Sequence, residues 1–343
     1  MRFADSAVAG PAVRHGTTEE QRGIEMIAVE QNVFHSFLAK HDDKHWSEVM
    51  GRLLSSVHPV DQVAAQIWFS FWPMRLAREL QESSDLTQTA KRLQLDGNYH
   101  LEEQVDSSVE YFLGSRFWSG VKQAVLQHAE SMTRSAGAGL EEQIRGIAEK
   151  VAHDKSIESR FVLGITAVGV MIFQQVGPAA FAECARRSYE IKNHQSPEQL
   201  IKSRQGRAGG WRALFGAKKH QVTFDESRQD GYFQALEGQD ISMASSCDKR
   251  DFQSQDRRRI AGPVPAEGRS GACGYCWIGV LGGQENLSVA TDFEKKRLHH
   301  FGYVPREVEI SPRSHIRLAC QSKCYGDVSI VIPPWNGVLD GGK

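Results

Sequence analysis

An excess of charge of either sign is missing from this chain. Its 41 Lys and Arg stand against 42 Asp and Glu, a formal charge of −1 over 343 residues. No global field steers it toward nucleic acid or a strongly charged surface, so no nucleic-acid partner is expected and any charge preference must be local. The opening stretch, MRFADSAVAGPAVRHGTTEE, lacks the basic segment and apolar run of a secretory signal, and the chain reads as cytoplasmic. Glycine-rich nucleotide fingerprints are missing too: GLEEQIRG and GSRFWSG lack both the preceding strand and the spacing of a phosphate loop, so no flavin or nicotinamide site is expected. Internal repeats and low-complexity arrays are absent. The one long uncharged run, Phe161 to Ala182, is interrupted by Gln174, Gln175 and Gly177-Pro178, which favours a buried core helix over a membrane span.

Cysteine is scarce, at six residues: Cys184, Cys247, Cys273, Cys276, Cys320 and Cys324. In a long chain without an export signal they read as metal or redox ligands rather than as a disulfide framework. All but Cys184 fall in the later part of the chain.

The length predicts more than one domain. After a flexible N-terminus over 1–16, apolar residues recur at helical spacing from 17 to 192, which predicts roughly five to seven helices packed as a bundle. Pro59 suits a first helical turn, and Pro73 a kink or break. Trp68, Phe69, Phe71 and Trp72 read as bundle core, with an apolar ligand pocket as the sharper alternative. His35, His58, His100, His128 and His153 are scattered. Neither Glu30 with His35 nor Glu149 with His153 has the Glu-x-x-His spacing of a di-iron bundle.

Residues 193–220 read as an exposed basic linker. From 199 onward all its charges are positive, and Trp211, Leu214 and Phe215 are interleaved with them. Peripheral contact of 199–220 with an anionic membrane surface or an acidic partner therefore stays open. From 221 to 336 the rhythm turns strand-like. QVTF, GYFQAL, YCWIGVLGG, HIRLAC and DVSIVIPP are strand candidates, with helices over ISMASS and TDFEKKRLHHFG, before a short tail over 337–343. The fold class is thus multidomain, an α-helical bundle followed by a small α+β domain.

Cys273-Gly-Tyr-Cys276 has a spacing that lets two sulfurs reach one metal centre, though zinc sites and redox pairs share it. The small residues of GRSGA ahead of it let backbone N–H groups approach sulfur. EGQD before a short helix, GRSGACGYCWIGVLGG, and RLACQ followed by GDVSIVIP occur in the order of the plant-type [2Fe–2S] ferredoxin domain. Residues 221–334 resemble that family, which has a β-grasp fold.

The resemblance implies a [2Fe–2S] cluster held by Cys273, Cys276 and Cys320. Gly271, Ala272, Gly274 and Tyr275 would form the backbone cradle, and Trp277 with the strand over 279–283 the apolar cover. It further implies one-electron exchange with a redox protein partner, an electron carrier more than a catalyst. Two departures stand out. The family's C-x4-C-x2-C run would begin with cysteine at 268, where this chain has Gly268, and a long segment separates Cys276 from Cys320. Because thiolate is the preferred donor, Cys247 is the first candidate to replace the missing ligand and Cys324 the alternative, followed by a non-cysteine donor or water and then by loss of the cluster.

The stretch after Cys247, DKRDFQSQDRRRIAGPVPAE, reads as an insertion in the binding loop. Its Arg257-Arg258-Arg259 run is a solvated loop or a docking point for an acidic partner. Two other functional readings remain: the helical domain as a ligand-binding or oxidoreductase module fed by the fused ferredoxin domain, and an interaction protein without a cluster.

Overall fold

The computed structural model describes residues 32–71, 82–93, 105–133, 137–186, 194–205, 218–256, 258–266, 270–271, 274, 276–300 and 309–333. Among these are ten α-helices and one mixed five-stranded sheet. Helices α1 (Val33–Leu38), α2 (Asp43–Leu53), α3 (Pro59–Phe71), α4 (Leu86–Leu93), α5 (Trp118–Ser131), α6 (Leu140–Lys155) and α7 (Arg160–Ala185) form the helical part. Pro59 opens α3, while Pro73 and everything before Asn32 lie outside the described residues. Local chemistry sets the helix starts: Asn32 and Asp42 accept the N–H of the residue three further on, at His35 and His45.

Helix α7 runs through the centre of the bundle. Every residue from Val162 to Gln174 is buried. Among the described residues it is the one helix long and apolar enough to cross a membrane, and 72% of its most apolar window is buried inside the protein. Its interruption falls where the sequence places it: Gly177 has φ 80°, a left-handed conformation that glycine adopts without penalty, directly before Pro178. Trp46, Trp68 and Trp118 are buried around it. Trp68 donates to Ser108 Oγ at 3.3 Å and packs edge-on to Phe69, so these two belong to the core, while the Phe71 side chain and Trp72 lie outside the described residues.

The sheet comprises β1 (Lys219–Thr223), β2 (Tyr232–Leu236), β3 (Trp277–Gly282), β4 (Ile316–Leu318) and β5 (Val328–Val331), in the order β2-β1-β5-β3-β4. The central pair β1–β5 is parallel, and β1–β2, β3–β5 and β3–β4 are antiparallel. Helix α9 (Ile241–Ser246) follows β2, and α10 (Asp292–His300) lies between β3 and β4. The segment after Cys247 is folded down onto α9 rather than looping free. Val264 N–H donates to Ser245 Oγ at 2.9 Å, and a Cβ at Gly262 would sit 2.0 Å from Ser245 O. Arg258 is buried, paired with Asp256, and donates to Pro333 O at 2.8 Å, so neither a solvated loop nor a docking arm describes it.

The expected linker is also revised. Residues 197–204 form helix α8 (Pro197–Arg204), started by a Ser196/Gln199 capping box, while 206–217 with Trp211, Leu214 and Phe215 lie outside the described residues. Leu200 is buried with Val60 and Leu113. Arg204 ends α8 inside the protein, donating from Nε and Nη2 to the Glu226 carboxylate at 2.9 Å each and to the carbonyls of Val60 and Tyr111. Glu226 in turn accepts from Ser329 Oγ of β5 at 2.6 Å. Beside this junction the sheet lies directly on α3, where a Cβ at Gly279 would come within 2.6 Å of Ile67 Cγ2. Helical and sheet residues consequently share one continuous core.

Two stability predictions follow from this junction. Arg204→Ala strips the partner from a buried carboxylate and should cost about 3–5 kcal/mol in urea unfolding, far more than a surface ion pair. Asp61, buried in the first turn of α3, accepts the N–H groups of Leu113 and Gly114 at 2.7 Å each. Burial raises its pKa to about 6, against the pull of those two N–H groups and of Arg204 and Arg116. A folded pKa above the unfolded one gives stability that is complete below the unfolded value and lost as pH rises through the folded one. The unfolding free energy of Asp61→Asn relative to wild type should therefore improve from pH 4 to pH 7 by on the order of 3 kcal/mol. Denaturant titrations at a series of pH values would show it, and parallel curves would refute it.

Candidate metal centre

Strand register brings together two of the thiols. Trp277 pairs with Leu318, Ile278 with Arg317 and Gly279 with Ile316. The ladder continues one step further, where Ala319 N–H donates to Cys276 O at 2.9 Å. Cys276, just before β3, is thereby set beside Cys320, just after β4, and the Cys320 N–H donates to Cys276 Sγ at 3.5 Å. Both side chains are buried.

The end of β4 is fixed from below by α10. Arg317 Nε and Nη2 donate to the two Glu294 oxygens at 2.9 and 3.0 Å, its Nη1 donates to Ser288 O at 2.7 Å, and Leu318 N–H donates to Glu294 Oε1 at 2.6 Å. Both partners are buried and hydrogen-bonded at each end, the arrangement a desolvated ion pair needs. Sequence reading missed this pair. Its one signal is a glutamate, after Asp292, ahead of the basic run KKRLHH in the helix DFEKKRLHH, with an arginine inside an apolar strand to pair with it.

The loop before Cys276 supplies backbone. Gly271 and Gly274 have φ 75° and 72°, and a Cβ on Gly271 would meet Phe293 Cε1 at 2.9 Å and the Gln321 side chain at 3.1 Å. The Gly271 backbone N–H is close enough to the Cys320 sulfur to favour its thiolate. Gln321 Nε2 adds a contact to the same sulfur at 3.6 Å. The Cys320 thiol is lowered to about 7, mainly by its hydrogen bond with Cys276, with Gln321 and Gly271 helping against burial. Trp277 is buried at the start of β3, directly after Cys276.

The two alternative thiols stand elsewhere. Cys247 ends α9, exposed, in a cleft lined by Asp230, Tyr232 and Arg250 beside the edge strand β2. Cys324 is buried, but its thiol donates to Gly326 O at 3.0 Å, and burial pushes it up to about 11. Among the described residues no three His, Cys, Asp or Glu gather as a metal-binding group. Helix α9 is held to the turn after β4 by the Ser242 N–H, which donates to Ala319 O at 3.3 Å, and to the inserted segment through Ser245 Oγ. Cys273, Ala272, Tyr275 and position 268 lie outside the described residues.

The histidines of the bundle are dispersed. His35 Nε2 lies 3.0 Å from Gln174 O, His58 stacks on Phe161, His128 packs edge-on to Phe34, and His153 is exposed beside Asp154; His100 lies outside the described residues. The cleft between α5 and α6, about 470 Å³, is open and carries polar and charged side chains such as Gln127, Glu130 and Lys150.

Compared with family models, curated proteins and solved structures, the chain matches none of them.

The thiol pair can be tested without metal. Titrated by thiolate absorbance at 240 nm, the metal-free protein should show an ionisation near pH 7 that Cys276→Ala moves upward, because the hydrogen bond from Cys276 is the main stabiliser of the Cys320 thiolate. An unchanged step would show that the two thiols do not interact.

Proposed function

We propose that the C-terminal unit carries a [2Fe–2S] cluster and that the protein is a one-electron carrier whose helical domain sets its partner or location. The observation that carries this reading is the β3–β4 register, which sets Cys276 against Cys320 under the Gly271 N–H. Two buried thiols, one poised to ionise, with backbone and amide N–H groups directed at sulfur, make a donor set suited to an iron–sulfur cluster. The sheet adds support: a mixed five-stranded sheet with its first and last strands parallel at the centre accords with a β-grasp. In this reading Cys276 and Cys320 are ligands, and Cys273 completes three thiolates by the spacing Cys273-Gly-Tyr-Cys276.

When bound, such a cluster supplies reversible one-electron chemistry by a change of iron valence. The protein's own contribution is to hold the thiolates, offset their charge with N–H groups and exclude water. With Cys247 exposed beside β2 and the Cys324 thiol bonded to Gly326 O, this reading gives the position of Gly268 to a non-cysteine donor or water. The Arg204 junction gives the helical domain a fixed seat against the sheet, which favours a positioning role over that of a loosely tethered appendage.

Anaerobic reconstitution followed by iron and acid-labile sulfide analysis, with EPR of the reduced protein, tests the reading. Two irons and two sulfides per chain are expected in the wild type, Cys247→Ser and Cys324→Ser. Cys276→Ser and Cys320→Ser should lose most of both, and a wild type without iron and sulfide would end the proposal.

A further inference from the structure

Helix α10 does two things at once. Its inward face is neutralised by the buried Glu294–Arg317 pair, whereas its outward side carries the exposed Lys296, with half-buried Lys295 on the flank and Asp292 as the helix's one exposed carboxylate. Phe293 on the same helix is 43% exposed, and its ring edge lies 2.9 Å from where a Gly271 Cβ would stand. The Gly271 N–H is close enough to the Cys320 sulfur to favour its thiolate. Just N-terminal to the helix, Val289 is 56% exposed, and its neighbour Ser288 exchanges hydrogen bonds with the backbone of Lys323, itself exposed. Phe293 is thus an exposed apolar side chain beside the loop of the thiol pair, with Lys296 one turn further along the helix, Lys323 exposed on the neighbouring turn, and Asp292 as the adjacent negative charge. Large exposed apolar side chains are few among the described residues, and two of the six occur here.

We propose that this face, with Phe293 and Val289 at its centre and Lys295, Lys296 and Lys323 at its rim, docks an electron-transfer protein that presents an acidic surface. The argument is charge complementarity around a short apolar contact, the arrangement that steers a transient encounter and fixes its orientation. It rests on the electron-carrier reading for the identity of the partner but not for the sign of its charge. In the step it serves, one electron leaves the reduced cluster and arrives on the partner's oxidised centre, and no bond is made or broken. The near-neutral total charge of the chain conceals this local positive face.

Succinylated cytochrome c, an acidic haem protein, and native cytochrome c, the same protein with a basic surface, serve as paired probes. Binding to the full-length chain is measured by isothermal titration at low and raised salt, independently of cluster content. Electron transfer from the reduced, reconstituted chain is followed by haem absorbance, the haem iron passing from ferric to ferrous. The succinylated form should bind and be reduced at least about tenfold faster or tighter than the native form. Salt should erode the preference, and Lys295→Glu with Lys296→Glu should reverse it.

A preference for native cytochrome c, or one that neither salt nor the double variant alters, overturns the proposal. If the double variant fails to fold, the salt dependence of the wild type and binding by Phe293→Ser decide in its place. Full binding by Phe293→Ser would remove the apolar centre from the proposal. Absence of iron and sulfide from the wild type with the acidic preference intact would sink the electron-carrier reading while leaving the charged face standing.

Discussion

The ion pair between Glu294 and Arg317 is the constraint on which the thiol site depends. Removing two charges from water is expensive, and the cost is recovered only where every donor and acceptor is met. Here Arg317 spends its guanidinium on both carboxylate oxygens and on Ser288 O, and Glu294 uses its remaining capacity on the Leu318 N–H. That last bond reaches the backbone two residues before Cys320. The pair ties α10 to the end of β4, and the β3–β4 ladder then carries the position across to Cys276. Its apolar alternative could match it in stability, but it would not anchor the backbone of β4.

A second buried arginine works on a larger scale. Arg204 joins α8, the first turn of α3 and the Tyr111 carbonyl on the helical side to Glu226, and through Ser329 to β5 on the sheet side. Each partner belongs to a different segment, so the guanidinium's fork geometry sets their relative positions. Gly279 and Gly282 permit the same contact by having no Cβ, since side chains there would run into Ile67 and the Arg204 carbonyl. Strand β3 is therefore buried on both faces, with the helical domain acting as one layer of the sheet's own packing.

Much of this was legible from local pattern. Each strand candidate from QVTF to DVSIVIPP became a strand, and Pro59, Gly177-Pro178 and the ISMASS helix fell where turn and helix chemistry put them, because these features are decided within a few residues. What escaped was non-local. Residues 197–204 look like linker, with charge and little hydrophobic period; only the distant carboxylate of Glu226 makes burial of Arg204 tolerable. Arg258 likewise reads as solvated until Asp256 and the Pro333 carbonyl are seen around it. For the thiols, spacing and resemblance singled out Cys276 and Cys320, and register joins them. The assignment of Cys247 relied on order along the chain, which says nothing of where in the fold a residue ends.

Under the proposed cluster reading, the glycine at 268 has an electrostatic consequence. A cluster with four thiolates concentrates negative charge that N–H groups must offset; one with three thiolates and a neutral donor starts with one negative charge fewer. Less charge favours the reduced form, the same direction in which imidazole in place of thiolate moves such centres. The Gly271 N–H and the Gln321 amide act in the same sense on Cys320. If the proposed cluster is bound, ligand replacement, hydrogen bonding to sulfur and the lysines of the neighbouring helix would all bias it toward accepting an electron, relative to a fully cysteine-ligated site. The three effects are independent in sequence, arising from the loop before Cys276, the residue after Cys320 and the outer face of α10. Under that proposal, their agreement in sign would make Gly268 one element of a centre with reduced negative charge, rather than an isolated loss.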